Sequence, residues 1–198
     1  MVFSSIFALA LKFFLVTNPI GNCPAMLALV KDYDFASQRK ILAREAFFAL
    51  LIALFFQFFG EAFLSLINIK DYAVSLCGGI LLFLVALSMI FSKPESDTVN
   101  VPKQEPYIVP IATPILSGPG LMSIIMLNAR LEPNNLKVTG AILIAWIGVI
   151  AVVASAPYLL KFFGKRGLIA LEQLMGMILA LMSMSMIVTG ISLFVQTL

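Results

Sequence analysis

Asn18-Pro-Ile-Gly-Asn-Cys-Pro24 gathers two prolines, a glycine and two asparagines in seven residues, between the apolar runs 2–16 and 25–30. Proline lacks a backbone N–H and clashes with the preceding turn, so carbonyls near residues 15–20 lose their helical partners. In an apolar medium such groups must be satisfied by protein or trapped water. A break lining a cavity therefore offers carbonyls to a cation, and N–H groups at the positive end of the next half-helix to an anion. Pro114-Ile-Leu-Ser-Gly-Pro119 repeats the pattern of Pro-Ile, three residues and proline, 95 positions later. The plainer account, in which Pro24 and Pro119 only kink helices for close packing, stays open at this point.

The elements that must position these residues follow from composition. Of 198 residues, 61% are hydrophobic and 12% charged, against about 45–50% and 25% in soluble domains. A chain so poor in charge cannot cover its surface in water, and is read as a single all-α polytopic membrane domain. Six segments reach the ~20 residues a bilayer requires: 2–30, 43–66, 72–91, 107–128, 137–163 and 169–197. The first is expected to be retained, since no basic region precedes it and no small-residue cleavage site follows. Loops one, three and five carry nine lysines and arginines, the opposite side three (Lys70, Arg130 and Lys137). That asymmetry predicts cytoplasmic loops one, three and five and both termini outside the cytoplasm. Residues 35–45 read as an amphipathic lead-in to the second span, its basic face on anionic lipid headgroups. A net charge of +3, without a patch interleaving cations and exposed aromatics, argues against nucleic acid.

The third and sixth spans also correspond, at an offset of 97: Gly79 falls on Gly176, Leu82 on Leu179, and Ser88-Met-Ile on Ser185-Met-Ile. The division expected is a first three-helix repeat at 1–92, a polar cytoplasmic loop at 93–106 and a second repeat at 107–198. An odd number of spans per repeat inverts the second copy. Inverted repeats with paired Pro/Gly interruptions mark secondary transporters that bind substrate between broken helices, here helices 1 and 4.

Asn18-Pro-Ile-Gly-Asn-x-Pro24, Phe59-Gly-Glu61, Gly78-Gly-Ile-Leu-Leu-Phe83, Pro114-x-x-x-Gly-Pro-Gly120 and Leu174-Met-Gly176 resemble the MarC family of bacterial inner-membrane proteins over nearly the whole chain. The resemblance implies a six-span permease-like fold in the inner membrane and, through a minority of members, transport of neutral amino acids. For such a zwitterion, the carboxylate suits the half-helix N-termini at Gly21–Ala25 and Gly118–Leu121, with Gly120 among their N–H donors. The ammonium suits carbonyls freed at residues 15–18 and 111–114, or the side-chain oxygens of Asn18, Asn22, Thr113 and Ser117. The breaks themselves fall to Pro19, Pro24, Pro114 and Pro119.

Lys12, about ten residues into span one, and Glu61, the one carboxylate with room for partial burial, are the candidates for coupling to a proton or sodium ion, or for pairing with each other. The plainer readings are a snorkelling lysine or a later start to the membrane segment for Lys12, and an interfacial, solvated carboxylate for Glu61. Glu45 beside Arg44 reads as a local ion pair. Without histidine, and with Cys23 and Cys77 both in apolar segments, zinc and a disulfide are not expected. Methionines 175, 177, 182, 184 and 186 cannot converge on one copper ion from a single helix and read as packing residues. No cofactor motif is present. A thiol oxidoreductase would want a cysteine before Pro119 to match Cys23, where Gly118 stands, so no enzyme is expected. A membrane scaffold, which needs no polar cavity, is the alternative to transport. A homo-oligomer is compatible with either.

Overall fold

The computed structural model describes residues 2–91, 106–132 and 134–197; the loop expected at 93–106 lies almost wholly outside them. The described residues are helical without a strand: α1 (Val2–Thr17), α2 (Cys23–Leu29), α3 (Phe35–Leu66), α4 (Asp71–Ile90), a π-helical turn (Ile111–Leu116), α5 (Pro119–Leu131) and α6 (Asn135–Val195). Three of them, α3, α4 and α6, are long and apolar enough to cross a membrane. α6 is two helices meeting at Gly164, whose φ of 65° and ψ of 176° belong to a region essentially restricted to glycine.

The lead-in and second span form one continuous helix. Asp34 caps α3, its carboxylate accepting from Ala36 N at 3.1 Å and Ser37 N at 3.3 Å. Those bonds, with the Ser37 hydroxyl foremost, hold its carboxyl below the usual carboxylate range. Arg39, expected at lipid headgroups, also leans on α6, donating to Ala154 O at 3.3 Å and stacking over the Tyr158 ring.

α3 turns small residues inward and large ones outward. Its buried stripe is Leu42, Glu45, Ala46, Ala49, Ala53, Gln57, Gly60 and Leu64, at the three- and four-residue spacing of one helix face. Phe47, Phe55, Phe58, Phe59 and Phe63 are exposed. In lipid, where apolar burial drives nothing, small residues let backbones approach and polar side chains tie helices together.

The packing runs between the halves of the chain. α1, α3 and α4 lie against α6, while α3 and α4 also flank α5. Single polar side chains join them: Trp146 Nε1 donates to Ala46 O, Ser75 Oγ to Met186 O, and Ser117 Oγ to Ala49 O, each at 2.8 Å. Glycines allow the closest approach. A Cβ on Gly79 would meet Ile187 and the Ser183 carbonyl, and one on Gly176 would meet Ile90 and the Ala86 carbonyl. The offset of 97 carries Gly79 to Gly176, Ala86 to Ser183 and Ile90 to Ile187. The two contacts are thus one contact made reciprocally.

Candidate functional site

The chain leaves helical geometry between Thr17 and Cys23. Asn18 adopts a positive φ of 50°, which asparagine tolerates better than most residues, and organises the turn. Its backbone carbonyl accepts from Asn22 N at 3.1 Å and its Oδ1 from Gly21 N at 3.2 Å. Its Nδ2 lies 3.2 Å from Met89 Sδ on α4. Cys23 N donates to Ile20 O. The N–H groups of Gly21, Asn22 and Cys23 are therefore occupied within the turn, and the expectation that they stand free for an anion is corrected.

Asn22 joins the two breaks. Its Nδ2 donates to Thr17 O at 3.0 Å and to Ile115 O, in the second break, at 3.1 Å. The Thr17 and Asn18 carbonyls, expected to be free, are thereby satisfied. In the second break Thr113 is extended, with φ −136° and ψ 130°, and Ser117 N closes back on Ala112 O at 2.8 Å. The Thr113 hydroxyl oxygen is buried without a partner among the described residues. The Ser117 hydroxyl is committed to Ala49. Pro119 opens α5, where the first intrahelical bond runs from Met122 N to Gly118 O at 3.1 Å. The N–H groups of Gly120 and Leu121 precede that bond, so no helical carbonyl accepts from them.

Between the breaks lies a chamber of about 380 Å³. Asn18 and Asn22 supply its side-chain polarity, while Pro114, Gly118, Pro119 and Gly120 bring in the second break. Leu82 and Leu179, partners at the offset of 97, both line it. Among the described residues, no charged side chain does. Gly21, Thr113, Ser117, Pro19 and Pro24 stand behind the wall rather than in it. The volume lies within the ~300–1,000 Å³ of small-molecule pockets.

Glu61 and Lys12 are not brought together. Glu61 is exposed, which fits the solvated interfacial reading and not the partly buried one. Lys12 instead shares a separate cavity with Asn128, Glu132 and Lys137. The buried acid is Glu45, at 0% exposure. Its Oε1 accepts from Arg44 Nη2 at 2.9 Å, and its Oε2 from Ile108 N at 2.8 Å. Arg44 also donates to Pro106 O and lies over the Tyr107 ring. Ile108 sits at φ 63°, a strained conformation for a β-branched residue, and the carboxylate fixes its N–H there. The pair is thus more than a local one: it clasps the segment leading into the second break. The signal for it lay in the spacing of α3, since Glu45 falls on the small-residue stripe with Ala46, Ala49 and Ala53.

Long apolar helices, interhelical hydrogen bonds and phenylalanines on the exposed faces define an integral membrane protein. Residues 3–195 match the family described as MarC family integral membrane protein, and the chain belongs to that family. It is 38% identical over 178 residues to a "UPF0056 membrane protein" of Buchnera aphidicola subsp. Schizaphis graminum, covering 89% of this chain and 91% of that one. It is 34% identical over 195 residues to the "UPF0056 inner membrane protein YhgN" of Escherichia coli K12, covering 98% and 99%. A "UPF0056 membrane protein" of Chlamydia trachomatis is 34% identical over 191 residues, covering 95% and 93%. No solved structure matches this fold.

Proposed function

We propose that the protein is a secondary transporter of a small neutral solute, a neutral amino acid with an apolar side chain fitting best. One observation carries the reading: an uncharged chamber of about 380 Å³ lies where the two Pro/Gly breaks meet, with two amides and a helix start among leucines and valines. The solute's carboxylate takes the Gly120 and Leu121 N–H groups at the start of α5. Its ammonium takes the side-chain oxygen of Asn22, and its side chain lies against Leu82, Val85 and Leu179. A cationic solute is disfavoured, because none of the described residues supplies a full negative charge to the chamber.

The six-span inverted repeat belongs to the same proposal. Each arm of α6 exceeds the ~20 residues of a span, and α1–α2 and the π turn with α5 act as the two broken spans. The reciprocal Gly79 and Gly176 contacts support the pseudo-symmetry, and the relative named as an inner membrane protein supports that membrane. Loop lysines and arginines support both termini outside the cytoplasm.

The test is thermal stabilisation of the detergent-purified protein by each of the twenty amino acids, repeated with Gly120→Leu. A Cβ at Gly120 lies 3.0 Å from the Leu82 side chain, so the larger residue fills the chamber. Stabilisation by apolar amino acids that Gly120→Leu abolishes supports the assignment. The scaffold reading is favoured by the internal satisfaction of the first break, where Asn18 and Asn22 occupy most free groups. It prevails if no amino acid stabilises the wild type and proteoliposomes show no uptake.

A further inference from the structure

Lys12 stands within an otherwise uncharged helix, and none of the described residues forms an ion pair with it. It lines a cavity of about 330 Å³ whose polar wall is Asn128, Glu132 and Lys137 and whose apolar wall is Ala8, Leu9 and Leu131. Glu132 is already neutralised, its Oε2 2.5 Å from Lys137 Nζ. Two ammonium groups against one carboxylate leave a formal charge of +1 in the cavity. Asn128 uses one N–H on Ile124 O at 2.8 Å and keeps the other. An uncompensated ammonium beside lipid is expensive and demands a counter-charge. Leu11 and Leu131, at 47% and 61% exposure, continue the apolar wall onto the outer surface.

We infer that this cavity is a binding site for a phosphate oxyanion, seated on Lys12 and Lys137 with the Asn128 amide as a neutral donor. A singly charged phosphodiester matches the formal charge, and the apolar wall accommodates the first methylenes of an acyl chain. The site is separate from the chamber between the breaks and does not depend on transport. The phosphate comes from a lipid headgroup or from free phosphate, and the two sources are distinguishable.

The full chain is purified in detergent and titrated, by native mass spectrometry, with phosphatidylglycerol and separately with inorganic phosphate. The variants are Lys12→Gln, Lys12→Arg, Glu132→Gln and, as a control on a cation outside the cavity, Lys70→Gln. One phosphatidylglycerol is expected to stay bound to the wild type, with about a fivefold or greater loss of affinity in Lys12→Gln. Lys12→Arg and Lys70→Gln retain binding, and Glu132→Gln, which raises the cavity charge, tightens it. The same ranking with inorganic phosphate, and no retained lipid, places the site with the free anion. Equal retention of both ligands by wild type and Lys12→Gln, or weaker binding in Glu132→Gln, overturns the inference.

Discussion

Replacing either member of the Arg44–Glu45 pair should loosen the entry to the second break, by unequal amounts. Glu45 is fully buried whereas Arg44 keeps 33% of its side chain exposed. Arg44→Gln therefore strands a carboxylate in the interior with the Ile108 N–H as its one remaining described donor. Removing one partner of a buried pair costs about 3–5 kcal/mol when the other cannot reach water. In Glu45→Gln the arginine can turn outward. The loss is then mainly the charge-assisted hydrogen bonding, about 2–3 kcal/mol. At roughly 2–4 °C per kcal/mol for a chain of this size, Glu45→Gln should unfold some 4–12 °C below wild type and Arg44→Gln lower still. In the double variant two amides face each other, so its cost should fall short of the sum of the singles by about 0.5–3 kcal/mol.

The assay pairs thermal unfolding in detergent with amide hydrogen exchange over residues 106–116. The Glu45 carboxylate holds the Ile108 N–H directly, so exchange there should accelerate in both single variants before global unfolding. Wild-type melting temperatures, or unchanged exchange at 106–116 despite lower ones, would refute the clasp as the element holding this segment.

Asn22→Ala leaves the Thr17 and Ile115 carbonyls without their bridging donor, a cost of about 2–4 kcal/mol, and should uncouple exchange in residues 18–22 from that in 111–117. Gly164→Ala meets no atom within 4 Å of the new Cβ, so its cost is backbone strain alone, about 1–3 kcal/mol, read as a lower melting temperature. Ser117→Ala loses one hydroxyl bond to Ala49 and should cost about 0.6 kcal/mol, at most about 1.7. The Asp34 cap has a depressed carboxyl pKa. Its stabilisation is present above the unfolded-state carboxylate pKa and is lost as pH falls through the lower folded value. Exchange at Ala36 and Ser37 should thus stay protected at neutral pH and rise only in acid, with the profile flattened in Asp34→Ala.

The departures from helical geometry between Thr17 and Cys23 and at Thr113 fall where proline and glycine act locally, since a missing N–H at Pro19, Pro24, Pro114 and Pro119 disfavours a helix whatever surrounds it. The amphipathic lead-in at 35–45 was legible from its pattern, whereas its Asp34 cap and its continuity with the second span emerge only in the fold. Burial on α3 was not legible, because hydrophobicity points outward in lipid. For Glu61 the sequence left partial burial and a solvated interfacial position both open, and its neighbours Phe58, Phe59 and Phe63 are the exposed face. Gly60, one residue earlier, is on the buried stripe, and the ~100° step of a helix carries Glu61 off it. Glu45, adjacent in sequence to Arg44 and charged residues, looked superficial, yet lies on that stripe. The Thr17 and Asn18 carbonyls are occupied by local bonds from Asn22, but its reach across 93 residues to the Ile115 carbonyl was invisible, a contact that only the assembled fold creates.

Under the proposed transport role, the packing constrains how the chamber would open. If each sequence half were a self-contained bundle, one half could rock against the other along a plane between them. Instead α4 rests on α6 and α5, α3 on α6, the π turn and α5, and α1 on α6. The glycines at 79 and 176 bring the backbone of each half against a carbonyl and an isoleucine of the other, leaving no room for a Cβ. Separating the halves as rigid bodies would break the Trp146, Ser75 and Ser117 hydrogen bonds together, in a medium that offers no replacement partners. Movement that spares these ties falls on the breaks themselves. There one side chain, Asn22, spans the two turns, and one residue, Thr113, is already extended. On the proposed transport role, a cross-link fixing α4 to α6 near Gly79 and Ile187 should accordingly leave solute exchange in proteoliposomes intact, whereas one tying residue 18 to residue 115 should stop it.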